Sequence, residues 1–386
     1  MCRRRFLFGA AATVLGIVLA IVVAEVVVRL GDLDDYELEL ALAAGMPPTL
    51  RFDDRFGWTS LPGRGGTNRQ GFRHLRDYTP KSNRSGRILI VGDSQVFGFY
   101  VQDHQHLGVV LDRRLQDVET YAFGVPGYGP AQEVLLAGEV LETYETDALV
   151  VVPFLENDLV DATLKMAYGH LQKPYLEKGP EGWRVANVPV PRPVLTSVFF
   201  DSSPEARFLR ARPGLYRTSA LYRAVADRST ALPRLAGFLS ATGLAEVSAL
   251  KATAWGREWS VRRVDGLELS CWFLSRCPED HWADGLPAMV AAYVEMASKC
   301  KESGVSFAVL LTPSIAELER GRFPMATAFA DRLRDEGIEV IDLTPAFSGQ
   351  GHWSRFTTPP PDYHWTPLGH QVAADAVAVY WRELTR

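Results

Sequence analysis

The sequence predicts a doubly wound α/β domain, a parallel sheet covered by helices on both faces. Three observations predict it. Several short segments are apolar throughout instead of alternating, as strands buried on both faces must be. Stretches with helical spacing separate them. Glycines and small polar residues gather where the apolar runs stop, and open α/β sheets build their sites at those carboxyl ends.

In chain order, "RILIVG" is an apolar run ended by Gly92. "HLGVVLDRRLQD" has helical spacing, and "VETYAFGVPG" reads as a strand closed by a glycine-proline turn. "AQEVLLAGEVLETY" is amphipathic and leads to "DALVVVPF", a second fully apolar strand. Further on, "AMVAAYVEMASKCKESG" and "MATAFADRLRDEG" read as helices preceding the strands "SFAVLLTPS" and "IEVIDL". No internal repeat interrupts this order.

The 386 residues suffice for one large domain with insertions or for two smaller ones. A net charge of -5, with no basic block and no Cys/His finger spacing, gives no sign of a nucleic-acid partner. The start is distinctive. "MCRRR" precedes a run without charge from Phe6 to Ala24, and apolar character resumes after Glu25. At about 1.5 Å per residue such a run nearly crosses a hydrocarbon core of about 30 Å. Arginines on one flank alone keep the N-terminus cytoplasmic. A cleaved signal peptide shares that charge order but has a shorter apolar region and a small-x-small site. The expectation is an uncleaved membrane anchor over residues 1–30, with the remainder on the extracytoplasmic, periplasmic side.

Residues 31–85 form a juxtamembrane segment whose "FGWTSLPGRGGTNRQGFRH" reads as an ordered loop region. The α/β domain spans 86–386. Within it, residues from about 160 to 285 break the rhythm, with "PYLEKGPEGWRV", "VPVPRPV" and "RARPG", and read as a large insertion or cap. Four cysteines are few. Cys271 and Cys277 would meet an oxidising compartment, where they pair or stay as thiols; Cys2 lies on the cytoplasmic flank or is a lipid site. His281 has no partner at metal-ligand spacing.

The strand ends carry the chemistry. The first gives Gly92, Asp93 and Ser94, the second Gly124 and Gly127, the third Glu156, Asn157 and Asp158. Past the last strand, "PDYHWTPLGH" gives Asp362 and His364. A serine hydroxyl needs a general base within hydrogen-bond reach. His364 suits that role, and Asp362 would hold its tautomer. The oxyanion of a tetrahedral intermediate would meet the backbone N–H groups of Ser94 and Gly127 and the side-chain amide of Asn157. Taken singly, each residue has an ordinary reading: a strand-ending turn, a helix cap, a structural histidine. Taken together, in order and all at strand ends, they define a site. Asp93 reads as bonding the turn that presents Ser94, Asp158 as supporting, and His370 as a structural histidine capping the final helix. There is no G-x-S-x-G elbow around Ser94, and "GDSQVFG" lacks dinucleotide-binding spacing.

"GDSQVFG", "GVPGYG", "LENDL" and "DYHWTPLGH" resemble, in order and place, the sequence blocks of SGNH/GDSL hydrolases, over about residues 86–160 and 305–386. The chain resembles a membrane-anchored bacterial member. The resemblance implies a flavodoxin-like sheet, acyl transfer through a serine ester, and no metal or cofactor. Three positions depart from the family pattern: Ala122 stands for the usual Asn, Asp362-x-His364 is one residue shorter than the commoner spacing, and Glu156 replaces a glycine, placing a charge near the site. Location and resemblance together imply acylated, in particular acetylated, carbohydrate as substrate, handled by a serine esterase or O-acyltransferase. Trp183, Trp255, Trp259, Trp272 and Trp282 would supply either sugar-stacking surface or core. Two other readings stand: a catalytically inactive scaffold or binding component of a surface-polysaccharide assembly, and a lipid or thioester acyl hydrolase.

Overall fold

The computed structural model describes residues 15–24, 26, 50–63, 66–82, 84–167, 171–191, 263–264, 267–268, 284–349, 353–358 and 363–386. The chain divides into two units, Met1–Pro48 with Pro193–Glu258, and Thr49–Arg192 with Trp259–Arg386. In the first, residues 15–24 are helical and present exposed apolar side chains such as Leu15, Leu19 and Val23. No helix among the described residues is long and apolar enough to cross a membrane. The other positions of the anchor expected over residues 1–30 lie outside the described residues, residue 26 apart.

The second unit is built on a parallel sheet. Its chain order begins with a hairpin, β1 (Leu50–Asp53) and β2 (Gly57–Ser60), and continues through β3 (Gly86–Gly92), α1 (Ser94–Phe97), α2 (Leu107–Arg114), β4 (Val118–Gly124), α3 (Pro130–Thr143), β5 (Ala148–Val152) and α4 (Leu155–Asp161). Two short antiparallel pairs follow, β6 (Met166–Ala167) with β7 (Leu171–Gln172) and β8 (Tyr175–Gly179) with β9 (Gly182–Ala186). After the pair β10 (Arg263–Val264) and β11 (Leu267–Glu268) come α5 (Gly285–Glu302), β12 (Ser306–Leu311), α6 (Ile315–Arg320), α7 (Pro324–Asp335), β13 (Glu339–Asp342), α8 (Thr344–Gly349) and α9 (Pro367–Leu384).

Five strands run in the spatial order β13-β12-β5-β3-β4, every neighbouring pair parallel. Counted along the chain this is the 2-1-3-4-5 order of flavodoxin-like sheets, whose topological switch point lies between the first and third strands. Here those are β3 and β5, in register from Ile88 opposite Ala148 to Gly92 opposite Val152. The apolar strands are buried along their whole length because both faces are covered. Ile88, Ile90, Val150 and Val152 share one core cluster with α2 and α9. Their alternate neighbours turn to the opposite face, where α3 and α5 pack together.

The one charge in the first strand is also buried. Arg87 donates from Nε and Nη2 to Glu119 Oε2 (3.0 and 2.6 Å) and from Nη1 to the carbonyls of Pro80 and Glu145. Its guanidinium stacks over Tyr121, 4.6 Å from the centroid. Such a charge is tolerable only because its donors are so fully used.

Residues 50–63 and 66–82 pack into the sheet unit. Trp58, fully buried, donates from Nε1 to Pro126 O (2.9 Å), and Tyr128 returns a bond from its hydroxyl to Trp58 O (2.8 Å). The Tyr78 hydroxyl bonds both backbone groups of Ala122, donating to its carbonyl and accepting from its N–H. Of the expected insertion, residues 160–167, 171–191, the β10–β11 pair and 284–285 are described; Cys271, Cys277, His281, Trp255, Trp259, Trp272 and Trp282 lie outside the described residues. Trp183 sits on β9 with the Lys178 ammonium 5.9 Å from its ring.

Candidate active site

The site grows from the carboxyl end of β3. A Cβ on Gly92 would stand 2.5 Å from Val96 Cγ2, so only glycine lets the chain turn this closely into α1. Asp93 caps that helix: its Oδ1 accepts from Gln95 N at 2.7 Å. Ser94 therefore takes the first helical position, half-buried, and Gly98 ends the single turn in the left-handed region at φ 71°. The Ser94 hydroxyl lies 3.4 Å from Asp93 Oδ2, and Asn157, on α4 past the end of β5, bonds the same carboxyl. Ser94 and Asn157 thus converge on Asp93 from two strands across the switch point.

Asp93 stands in front of a buried acidic layer. Glu133 of α3 accepts from the Tyr293 hydroxyl of α5 at 2.9 Å, and Asp158 Oδ2 accepts from Phe154 N at 2.7 Å. All three carboxyls are inaccessible to solvent. Burial raises Asp93 to about 7, against the hydrogen bonds from Gln95, Ser94 and Asn157 that favour its ionised form. Burial holds Glu133 and Asp158 well above the usual carboxylate range, and repulsion among the three adds to it. Both carboxyls are thereby biased toward the protonated form. Asp161, also raised by burial, meets the buried Lys173 ammonium at 3.1 Å.

His364 arrives on the loop before α9. Its N–H donates to Thr358 Oγ1 (3.0 Å), its carbonyl accepts from Thr358 N (2.7 Å), and Thr357 and Trp365 form an antiparallel bridge beside it. Tyr363 adopts φ 53°, a conformation costly for a bulky residue and sustained by its surroundings. The support comes from Gln95. This fully buried side chain donates from Nε2 to Tyr363 O (3.1 Å) and accepts at Oε1 from Trp365 N (2.9 Å). The residue after Ser94 thus grips the backbone on both sides of His364. The imidazole itself rests against Phe99 and Tyr100.

The second strand end closes the site's other edge. A Cβ on Gly124 would stand 2.2 Å from Phe97 N, so β4 and α1 approach at contact distance only with glycine there. Val125 N donates to Gly92 O (3.2 Å), and Gly127 takes φ 75° in the turn closed by Tyr128 N to Val125 O.

Of the residues singled out from sequence, Ser94, Asp93 and Asn157 meet directly and His364 is tied to them through Gln95. Gly127 lies in the adjoining turn, and Asp362 lies outside the described residues. Two expectations are corrected. Glu156 places no free charge beside Ser94; its Oε2 accepts from Ile315 N (2.8 Å) and Ala316 N (3.4 Å), capping the start of α6. His370 does not cap α9, a task Thr366 performs by accepting from Gly369 N. It accepts instead from Leu107 N, at the start of α2 (3.2 Å). Gln95, Glu133 and Tyr293 escape sequence reasoning. Polar residues inside the apolar stretches "SQVFGF" and "AQEVLLAG" were the available signal.

A flavodoxin-order sheet that presents a serine at its switch point, with an asparagine from the next strand and a histidine loop tied alongside, is consistent with an SGNH-type hydrolase fold. Residues 280–385 match the family described as "SGNH hydrolase-like domain, acetyltransferase AlgX", which supports the resemblance to SGNH hydrolases carried by the sequence blocks. Among solved structures the chain is similar to a lipase/acylhydrolase from Enterococcus faecalis (10% identity over 77% of this chain and 96% of that one, TM-score 0.37). It is also similar to the psychrotrophic esterase EstA from Pseudoalteromonas sp. (9%, 78% and 99%, TM-score 0.37) and to the acetyl xylan esterase AlAXEase (10%, 76% and 98%, TM-score 0.37). No curated protein sequence matches the chain.

Proposed function

We propose that the protein is a serine-dependent ester hydrolase or O-acyltransferase acting on acylated carbohydrate outside the cytoplasmic membrane. The observation that carries this reading is the Gln95 clamp, which fixes the backbone around His364 to the helical turn that begins with Ser94. Ser94 Oγ attacks the ester carbonyl as His364 takes its proton, with Asp362 orienting the imidazole. The oxyanion is met by the Ser94 and Gly127 amides and the Asn157 side chain, each donor worth about 2.7–4 kcal/mol in the transition state. The alcohol leaves with the proton from His364. Water or a sugar hydroxyl then resolves the acyl-enzyme. The arginine-flanked apolar run at residues 6–24 supports a membrane anchor and an extracytoplasmic site.

The test is a pair of measurements on the full chain. A fluorophosphonate should attach covalently at Ser94, and Ser94→Ala should lose hydrolysis of a short-chain aryl acetate by at least a thousandfold while remaining folded. An unlabelled wild-type protein would favour the inactive scaffold.

A further inference from the structure

Two large aromatic side chains remain exposed beside His364. Phe99 is 40% and Tyr100 52% exposed. Their ring centroids lie 5.2 and 5.5 Å from the imidazole, Phe99 edge-on at 84° and Tyr100 inclined at 49°. The segment that carries them is braced. Arg73, from the glycine-rich stretch before the first strand, donates to the carbonyls of Gly98 and Val101, which bracket the pair. Asp103 holds the same guanidinium at 3.2 Å. Phe97, buried beneath, supports Phe99 at 5.0 Å. An ordered, solvent-facing aromatic pair is an arrangement that folding alone does not require.

We propose that Phe99 and Tyr100 form the subsite for the alcohol portion of the ester, and that this portion is a pyranose ring. The proposal rests on the roles given above to Ser94 and His364. As the Ser94 oxygen–acyl bond forms, the bond from the acyl carbon to the alcohol oxygen breaks. The electron pair stays on that oxygen, which receives through His364 the proton that left Ser94. The alcohol oxygen must therefore sit at the imidazole, and the group attached to it must lie against whatever surrounds the imidazole. Among the described residues, Phe99 and Tyr100 are the aromatic rings that lie against it.

Aromatic faces accept the flat C–H face of a sugar ring while its hydroxyls stay in water. The exposed Gln102 and Asp103 that follow the pair are suited to those hydroxyls. Two half-exposed rings match one six-membered ring in extent. They are too open to bury an alkyl chain, whose binding grows only with apolar area removed from water. The sugar platform is thus built next to the base and does not depend on tryptophans of the insertion.

The experiment compares two acetate esters that differ only in the alcohol, an O-acetylated methyl glucopyranoside and ethyl acetate, with the full-length wild type, Tyr100→Ala, Phe99→Ala and Tyr100→Phe. Fluorophosphonate labelling of Ser94 runs in parallel. In each alanine variant the ratio of kcat/KM for the pyranoside to that for ethyl acetate should fall about tenfold, chiefly through KM, and Tyr100→Phe should restore it. Ratios within twofold of wild type in both alanine variants, with Ser94 still labelled, overturn the subsite and leave the nucleophile assignment standing. A wild-type protein that neither labels nor turns over either ester overturns the nucleophile assignment and the subsite with it.

Discussion

At the scale of single residues, the site depends on a side chain that performs no chemistry. Gln95 has one donor and one acceptor engaged on opposite sides of His364, a pattern no other residue of its length reproduces. In Gln95→Glu the carboxylate still accepts from Trp365 N–H but faces the Tyr363 carbonyl with a lone pair. Each lost bond costs about 1 kcal/mol of stability, more where a buried group is left unmade. The imidazole is displaced as well, so kcat for an aryl acetate should fall on the order of 10–100-fold with KM nearly unchanged, since geometry at the reacting atoms is lost before binding is. Steady-state kinetics beside a thermal melt separates the two effects. A kcat unchanged in a folded Gln95→Glu protein would show that the loop holds His364 without the clamp.

At the scale of elements, glycines show how little of the strand–helix junction could move. Gly124→Ala puts a methyl 2.2 Å from the backbone nitrogen of Phe97, so β4 and α1 must part. The expected cost is about 1–3 kcal/mol, with slowed labelling of Ser94 as α1 tilts. Gly138, in the interior of α3, has nothing within 4 Å of the same added atom. Gly138→Ala should therefore stabilise by about 0.5–1 kcal/mol. Denaturant midpoints of the two variants should move in opposite directions; a shared direction would refute the steric account. The elements themselves were legible in the sequence, because strands buried on both faces leave continuous apolar runs and the helices between them keep their period. Strand ends followed from the same runs, and with them Ser94, Asn157 and the region of His364. Gln95 and Glu133 were not legible: a polar residue in an apolar stretch acquires a role only when a distant segment, Tyr363–Trp365 or Tyr293, folds against it. Glu156 misled for the same reason, its partner being the start of a helix more than 150 positions away.

At the scale of the whole molecule, the layer of buried acids behind Ser94 ties global stability to pH. In the unfolded chain Asp93, Glu133 and Asp158 ionise near pH 4. In the fold, burial raises Asp93 to about 7 and holds the other two well above their usual range. A carboxyl raised in this way stabilises the fold fully at low pH, and that contribution is lost as pH climbs toward its folded value. Buried histidines run the other way. His74 falls to about 3, His106 to about 4, and His370 well below its ordinary value, all chiefly through burial. Their contribution is complete above about pH 6.5 and is lost on acidification, so it is constant through neutral and mildly alkaline solution. Between pH 7 and 8.5 the slope therefore belongs largely to the acids. The fold favours the protonated forms of Glu133 and Asp158, which the unfolded chain has already ionised, so both lower stability as pH rises toward their folded values. Urea unfolding at constant ionic strength should show stability falling across this window. Glu133→Gln retains an acceptor for the Tyr293 hydroxyl but cannot ionise, so stability should fall less steeply with pH than in the wild type. Parallel pH dependences in the two proteins would overturn the upward shift of Glu133 in the fold.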